Sequence, residues 1–295
     1  MIKDKKFNEL FAPDQTLILV GGKGSGKTNL GCVLMEQAVA LGYSIYTNIH
    51  FFDYDEIGIA CNLGKLKKGI PYHKKPDEVH VVSGLYELLK GLATAGKKIT
   101  ILDEAGIHAS SNQPMSKMTT AIKQLAYIIR HFNSSLLFIT QTEGSIPPDL
   151  REKLVDWKIK VTKHNRCVEF GERQIGTDEY GTEYINFPKT KGYKKVAHSI
   201  YPYDSVFPTG FIMDMNLKEA LSELSKLKSS IEVEKRGIEV IERLYDEGKG
   251  KETNADLIKK ALKENPDWTD QEIADEVECS QQYVNKIKNA KKKLG

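Results

Sequence analysis

The sequence predicts an α/β domain built on a mainly parallel sheet, extended by a β-rich segment and followed by a small all-α domain. Three observations carry this. Short apolar runs alternate with helix-like stretches as far as about residue 165; a Gly-, Tyr- and Pro-rich stretch follows over 166–210; and Lys/Glu-rich segments with helical spacing begin at Asn216.

Thr16–Val20 reads as the first strand, and 44–48, 79–82, 99–102, 136–140 and 157–161 as later ones. Runs this apolar on both faces suit the interior of a parallel sheet covered by helices. In the extension, 167–170 and 183–187 flank Gly176, Asp178 and Gly181, which predicts edge strands or a hairpin added to the main sheet. Such a segment is either an exposed insertion or an arm that grips a partner. Leu217, Leu221, Leu224 and Leu227 share one helix face. The expected organisation is 1–215 for the α/β domain, 216–230 for a helical linker and 231–295 for the helical domain.

Hydrophobic residues make up 40% and charged residues 28% of the 295 positions, which suits a buried core and argues against global disorder. Lys+Arg 43 against Asp+Glu 40 leaves +3, so overall charge implies neither a nucleic-acid nor a membrane-surface protein, and any basic surface has to be local. No apolar run reaches the roughly 18–20 residues that cross a bilayer, and the charged start is not followed by a secretory core. The expected location is the cytoplasm, or the host cytoplasm for a viral protein. Cys32, Cys61, Cys167 and Cys279 form no CxxC pair and read as buried or incidental thiols.

Residues 21–28, GGKGSGKT, satisfy G-x-x-x-x-G-K-[ST] directly after a strand and before the helix-like run 29–40. Glycines let the backbone turn so that successive N–H groups and the helix N-terminus face phosphate oxygens. Gly22, Lys23, Gly24, Ser25, Gly26, Lys27, Thr28 and Asn29 are therefore the candidate nucleotide contacts. Lys27 would neutralise the β- and γ-phosphates of ATP, and Thr28 would offer a hydroxyl to Mg²⁺. Asp103, ending the strand KKITILDE, is the second candidate for Mg²⁺, and the adjacent Glu104 is placed to polarise an attacking water. Gln141 ends a third strand and is a candidate sensor of the γ-phosphate.

GGKGSGKT, the strand and Asn in YSIYTNI, the acidic pair in ITILDEAG and the stretch IIRHFNSSLLFITQT together resemble the FtsK/HerA superfamily of RecA-like (ASCE) P-loop ATPases that pump DNA. That superfamily includes viral genome-packaging ATPases, conjugative coupling proteins and a Zot-like branch. The resemblance covers roughly 14–165. It implies an ATP-hydrolysing translocase of double-stranded DNA, for packaging or plasmid mobilisation, working as a homo-oligomer. A hexameric ring is the family expectation, with a dimer on DNA as the alternative and capsid or other DNA-processing proteins as further partners. It also implies that Arg130 enters the neighbouring subunit's site, with Arg151 as the fallback. Residues 201–205, YPYDS, look like a stretch late in Zot-like cores. The chain departs from coupling and Zot-like secretion proteins in lacking an obvious membrane helix, and it has no large N-terminal β-barrel.

Near the C-terminus, Thr269-Asp270-Gln271-Glu272 is a capping-box pattern opening a helix, and 281–292 forms the next, with Val284 and Ile287 spaced to pack back. This resembles a helix-turn-helix domain of the transcription-regulator or resolvase type. Gln281, Gln282 and Asn285 would contact base edges, while Ser280, Tyr283 and lysines including Lys286 would hold phosphates. Tyr283 alternatively belongs to the core. Lys286, Lys288, Lys291, Lys292 and Lys293 follow with no acid between them. A solvated helix end or a protein-binding bundle are the other readings of this segment. For the whole chain, the alternatives are an AAA+-like replication or transposition helper and a non-translocating, ATP-controlled DNA-binding or partition protein.

Overall fold

The computed structural model describes residues 2–103, 125–126, 129–146, 148–162, 167–180, 182–193, 197–204, 215–227, 229–249, 258, 261–263, 265, 268–276, 281 and 284. The chain divides into two compact units, 1–244 and 245–295.

In the first unit, α1 (Asp4–Leu10) leads into β1 (Thr16–Val20), α2 (Lys27–Ala40), β2 (Ser44–Thr47), α3 (Ile57–Asn62), β3 (Val79–Val81) and α4 (Leu85–Leu92). Then come β4 (Lys98–Leu102), β5 (Ser134–Thr140), α5 (Pro148–Lys153) and β6 (Trp157–Thr162). The extension holds β7 (Cys167–Glu172), β8 (Gln174–Thr177), β9 (Glu183–Asn186) and β10 (Lys189–Tyr193), and α6 (Leu217–Leu224) and α7 (Ser230–Lys249) follow. Eight strands form one sheet in the order β10-β7-β6-β1-β5-β4-β2-β3. The six from β6 to β3 are parallel, while β7 and β10 join antiparallel at one edge.

The alternation of side chains along each strand sorts the core into two layers. Ile18 and Val20 face the same way as Leu102, Leu136 and Phe138, where α4 buries Leu85, Leu88, Leu89 and Leu92 at helical spacing. Leu17 and Leu19 lie with Ile99, Ile101, Leu137 and Ile139 on the other face, covered by Leu30, Leu34, Met35 and Ala38 of α2 and by Phe7 and Leu10 of α1. The fold is thus mixed α/β, with a mostly parallel central sheet between helices.

Residues 216–230 carry α6, whose Ala220 and Leu224 are buried in the first layer together with Val233 and Ile241 of α7. The extension divides its strands: β7 and β10 lengthen the main sheet, whereas among the described residues β9 pairs with β8 alone, in a separate two-stranded sheet. The expected strand at 183–187 therefore pairs in a hairpin of its own, with Phe187 lying against Gly171 of the main sheet. β10 was not predicted, because KTKGY is polar throughout and carries no apolar alternation. In the second unit, Ile258, Ala261, Ile273, Ala274 and Val284 form a small core with Leu262 and Trp268, and α8 (Asp270–Glu276) supplies two of them. Among the described residues, no helix is long and apolar enough to cross a membrane.

Close approach of α4 to β2 depends on Gly91, where an added Cβ would lie 2.0 Å from the Tyr46 ring. Gly91→Ala is expected to cost about 1–3 kcal/mol through overpacking. Urea denaturation would measure it, and the Tyr46→Leu background should recover most of the loss.

Candidate functional site

At the C-terminal end of β1 the chain turns through residues 21–26 into α2. Gly24 and Gly26 take φ of 71° and 97°, a left-handed backbone that side chains rarely adopt. A Cβ on Gly21 would meet the Val161 carbonyl oxygen at 2.5 Å and Ser25 Oγ at 2.7 Å. Glycine is therefore needed at 24 and 26 for conformation and at 21 for space. The Ser25 N–H donates to the Gly22 carbonyl at 3.1 Å, closing the turn.

Gly26 precedes α2 and provides no side-chain cap, so the first-turn N–H groups face outward with the positive end of a 14-residue helix behind them. Lys27 Nζ donates to the Gly22 carbonyl at 3.2 Å and so lies back across the loop. Ser25 is buried, and its Oγ has no hydrogen-bond partner among the described residues. A glycine cradle, an uncapped helix start, a lysine and an orphaned buried hydroxyl form a donor set that fits a phosphate chain.

The adjoining strands complete the site. Thr28 Oγ1 donates to Asp103 Oδ2 at 2.8 Å, joining the start of α2 to the residue after β4. Asp103 is itself held by Asn48, beyond β2: the Asp103 N–H donates to Asn48 Oδ1 at 2.7 Å, and Asn48 Nδ2 donates to the Asp103 carbonyl at 3.0 Å. Both residues are buried. Thr28 and Asp103 offer a hydroxyl and a carboxylate, a set that fits Mg²⁺, which keeps waters and takes substrate phosphates for its other positions.

Gln141 directly follows β5, where Thr140 pairs with Val20, so its position is beside the start of the loop and between the ends of β1 and β4. Arg130 lies in the 3₁₀ turn Ile129–Phe132 that enters β5 from its other end. Seven residues of strand, about 23 Å at roughly 3.3 Å each, separate that turn from the phosphate-loop edge. Arg151 Nη2 contacts Glu152 Oε1 at 3.3 Å on α5. Glu104 and the Arg130 side chain lie outside the described residues.

Sequence reasoning missed a strap formed by residues 197–204. Asn29 Nδ2 donates to the Ala197 carbonyl at 2.9 Å, and the Ser199 N–H donates to Asn29 Oδ1 at 2.9 Å, so the whole Asn29 amide clasps the strap. About two turns further along α2, Glu36 Oε1 accepts from Ser199 Oγ at 2.5 Å and from the Ile200 N–H at 2.7 Å. The strap's far end bridges to the segment after β2: Tyr203 pairs antiparallel with Phe51, and the Asp204 N–H donates to the His50 carbonyl at 2.8 Å. The stretch 201–204 thereby comes to the phosphate loop, the one sequence signal for it being the YPYDS likeness. Between strap and loop opens a cavity of about 380 Å³, lined by Gly24, Ser25, Gly26, Val161, His198 and Tyr203 among others. Burial, with the neighbouring Cys32, Tyr72 and Asp103, pushes the Tyr203 phenol far above its ordinary pKa, so it stays a neutral hydroxyl.

In the second unit, Thr269 and Glu272 form the capping box. The Glu272 N–H donates to Thr269 Oγ1 at 3.3 Å, and the Thr269 N–H and hydroxyl each donate to Glu272 Oε2 at 2.7 Å, which holds the Glu272 carboxyl below its usual pKa. Gln281 is helical and exposed. Ser280, Gln282, Tyr283, Asn285 and Lys286 lie outside the described residues.

A mostly parallel α/β sheet with this loop, and with β5 between the loop strand and the Asp103 strand, has the architecture of a RecA-like P-loop NTPase. No family model matches the sequence, and no curated protein matches it. Among solved structures, the chain is similar to the genome packaging NTPase B204 from Sulfolobus turreted icosahedral virus 2 in complex with ATP-gammaS, at 16% identity over 60% of this chain and 98% of that one, with a TM-score of 0.37. It is likewise similar to the N-terminal domain of zonular occludens toxin from Neisseria meningitidis, at 17% identity over 58% and 93%, with a TM-score of 0.34. At these values the likeness assigns neither a family nor an activity to this chain.

Asn48→Ala would remove both hydrogen bonds that the Asn48 amide makes to the Asp103 backbone, at a cost of about 0.5–1.5 kcal/mol for each. The expected outcome is a urea midpoint lower by a corresponding amount, together with weaker Mg²⁺-dependent nucleotide binding. A stability equal to that of the parent would mean that the Asn48 amide does not hold Asp103.

Proposed function

We propose that this chain is a Mg²⁺-dependent ATPase that acts on double-stranded DNA, as a translocating motor of the packaging or mobilisation type. The observation that carries the ATPase reading is the 2.8 Å bond from Thr28 to Asp103, which brings a hydroxyl and a carboxylate together beside a glycine phosphate cradle. When bound there, Mg²⁺ would neutralise the phosphate oxygens and orient them. Gly22 to Asn29 would hold the triphosphate through backbone N–H groups, and Lys27 would leave the Gly22 carbonyl to reach the phosphates.

Glu104, the residue after Asp103, would orient the attacking water and take its proton. Gln141, beside the start of the loop, would sense the γ-phosphate. Arg130 precedes β5, a strand's length from its own phosphate loop, so a role at phosphate would be played in another copy of the chain. That supports a homo-oligomer, with a ring of six as the reading drawn from the FtsK/HerA resemblance. The DNA partner rests on the same resemblance and on the helix-turn-helix pattern. In that module Ser280, Gln281, Gln282, Tyr283, Asn285 and Lys286 would meet DNA, and the C-terminal lysines would add salt-sensitive attraction.

ATP hydrolysis should require Mg²⁺, rise on adding double-stranded DNA, and displace a protein roadblock from that DNA. Lys27→Ala and Asp103→Asn should each lower kcat by roughly a hundredfold or more, the scale expected for removing a charge-stabilising group. Glu104→Gln should bind ATP and not turn it over. Mixing Glu104→Gln with Arg130→Ala should restore part of the activity if Arg130 acts between copies. Hydrolysis without DNA stimulation or roadblock movement would retain the ATPase and remove the motor.

A further inference from the structure

We propose that the strap 197–204 supplies the nucleoside half of the nucleotide site, with the base packed against the rings of His198 and Tyr203. This rests on the reading of the glycine loop as a triphosphate site. If the phosphates occupy that loop, the sugar and base must lie in the adjoining space. The 380 Å³ cavity begins at Gly24, Ser25 and Gly26, and its size falls within the roughly 300–1,000 Å³ of small-molecule sites.

The lining suits a flat, partly polar ring. The His198 and Tyr203 rings lie within 24° of parallel, with centroids 6.4 Å apart, and both residues line the cavity together with the loop. Val161, near the end of β6, also lines the cavity, and Lys67 adds a cation. The buried and unpartnered Ser25 Oγ also belongs to this lining, a hydroxyl that no other group of the described chain satisfies.

The strap is positioned for this role by the loop's own helix. Asn29, next to Thr28, uses both its amide atoms on Ala197 and Ser199, the residues flanking His198. The residue after the metal-facing threonine thus locates the ring beyond it, and the phosphate and base subsites share one rigid support.

Calorimetric titration of the full chain with the non-hydrolysable β,γ-methylene analogue of ATP and with inorganic tripolyphosphate separates the two halves. The parent should bind the nucleotide more tightly than tripolyphosphate. His198→Ala and Tyr203→Ala should each weaken the nucleotide roughly five- to tenfold or more, the scale of a lost base–ring stack, and leave tripolyphosphate unchanged. Tyr203→Phe should lose less than Tyr203→Ala. Tyr180→Ala, on the exposed loop of the β8–β9 hairpin, should change neither ligand. Thermal unfolding checks that the variants fold, and His198→Ala alone suffices if Tyr203→Ala does not. Equal losses for both ligands, or no loss for the nucleotide, would overturn the base site. Equal affinity of the parent for both ligands would overturn it while leaving the phosphate loop intact, and a parent that binds neither ligand would overturn both readings.

Discussion

Thr28 and Asp103 meet across an intervening strand, and most of the first unit can be understood as what makes that meeting possible. Two strand spacings, roughly 9.6 Å, separate β1 from β4, because β5 runs between them. A hydroxyl on the first turn of α2 reaches the Asp103 carboxylate only if the loop after β1 folds tightly and the backbone after β4 is held still. Gly21, Gly24 and Gly26 meet the first condition, and the buried Asn48 amide meets the second. The two apolar layers then fix how the helices, α2 among them, sit on the sheet.

The same geometry distributes the chemistry by distance. Everything placed after a parallel strand, including the loop, Asp103 and Gln141, gathers along one edge, as ligand sites of open α/β sheets do. Arg130 enters β5 from the other edge. A motif that looks continuous in the sequence, an arginine followed by a strand ending in glutamine, is thus split by the length of that strand between opposite sides of the domain.

Much of this was legible in the residues, and the parts that were not share a cause. Thr16–Val20 declared itself by five consecutive apolar or β-branched residues, and the loop by its motif, because in both the signal is local. The capping box at Thr269 and Glu272 was readable for the same reason, and its bonds are present. β10 was missed because an edge strand open to solvent keeps a polar sequence, and β8 likewise. Asn48 was noticed only through a resemblance, since nothing in its neighbourhood says that its amide will lock onto the backbone of Asp103. The strap was hidden most completely. It has no periodicity, and its position comes from Asn29 and Glu36, whose spacing on α2 looks like that of any polar helix face.

The clasp between Asn29 and Ser199 joins residues 170 positions apart. A contact of such separation closes late, after the loop entropy of everything between has been overcome. The glycine loop and α2 can take shape as soon as β1 has neighbours, but the strap reaches them only when the chain has been made almost to residue 205. During synthesis the phosphate cradle would therefore exist for some time without the strap, and capture of a nucleoside would become a marker that the chain has folded as far as residue 204.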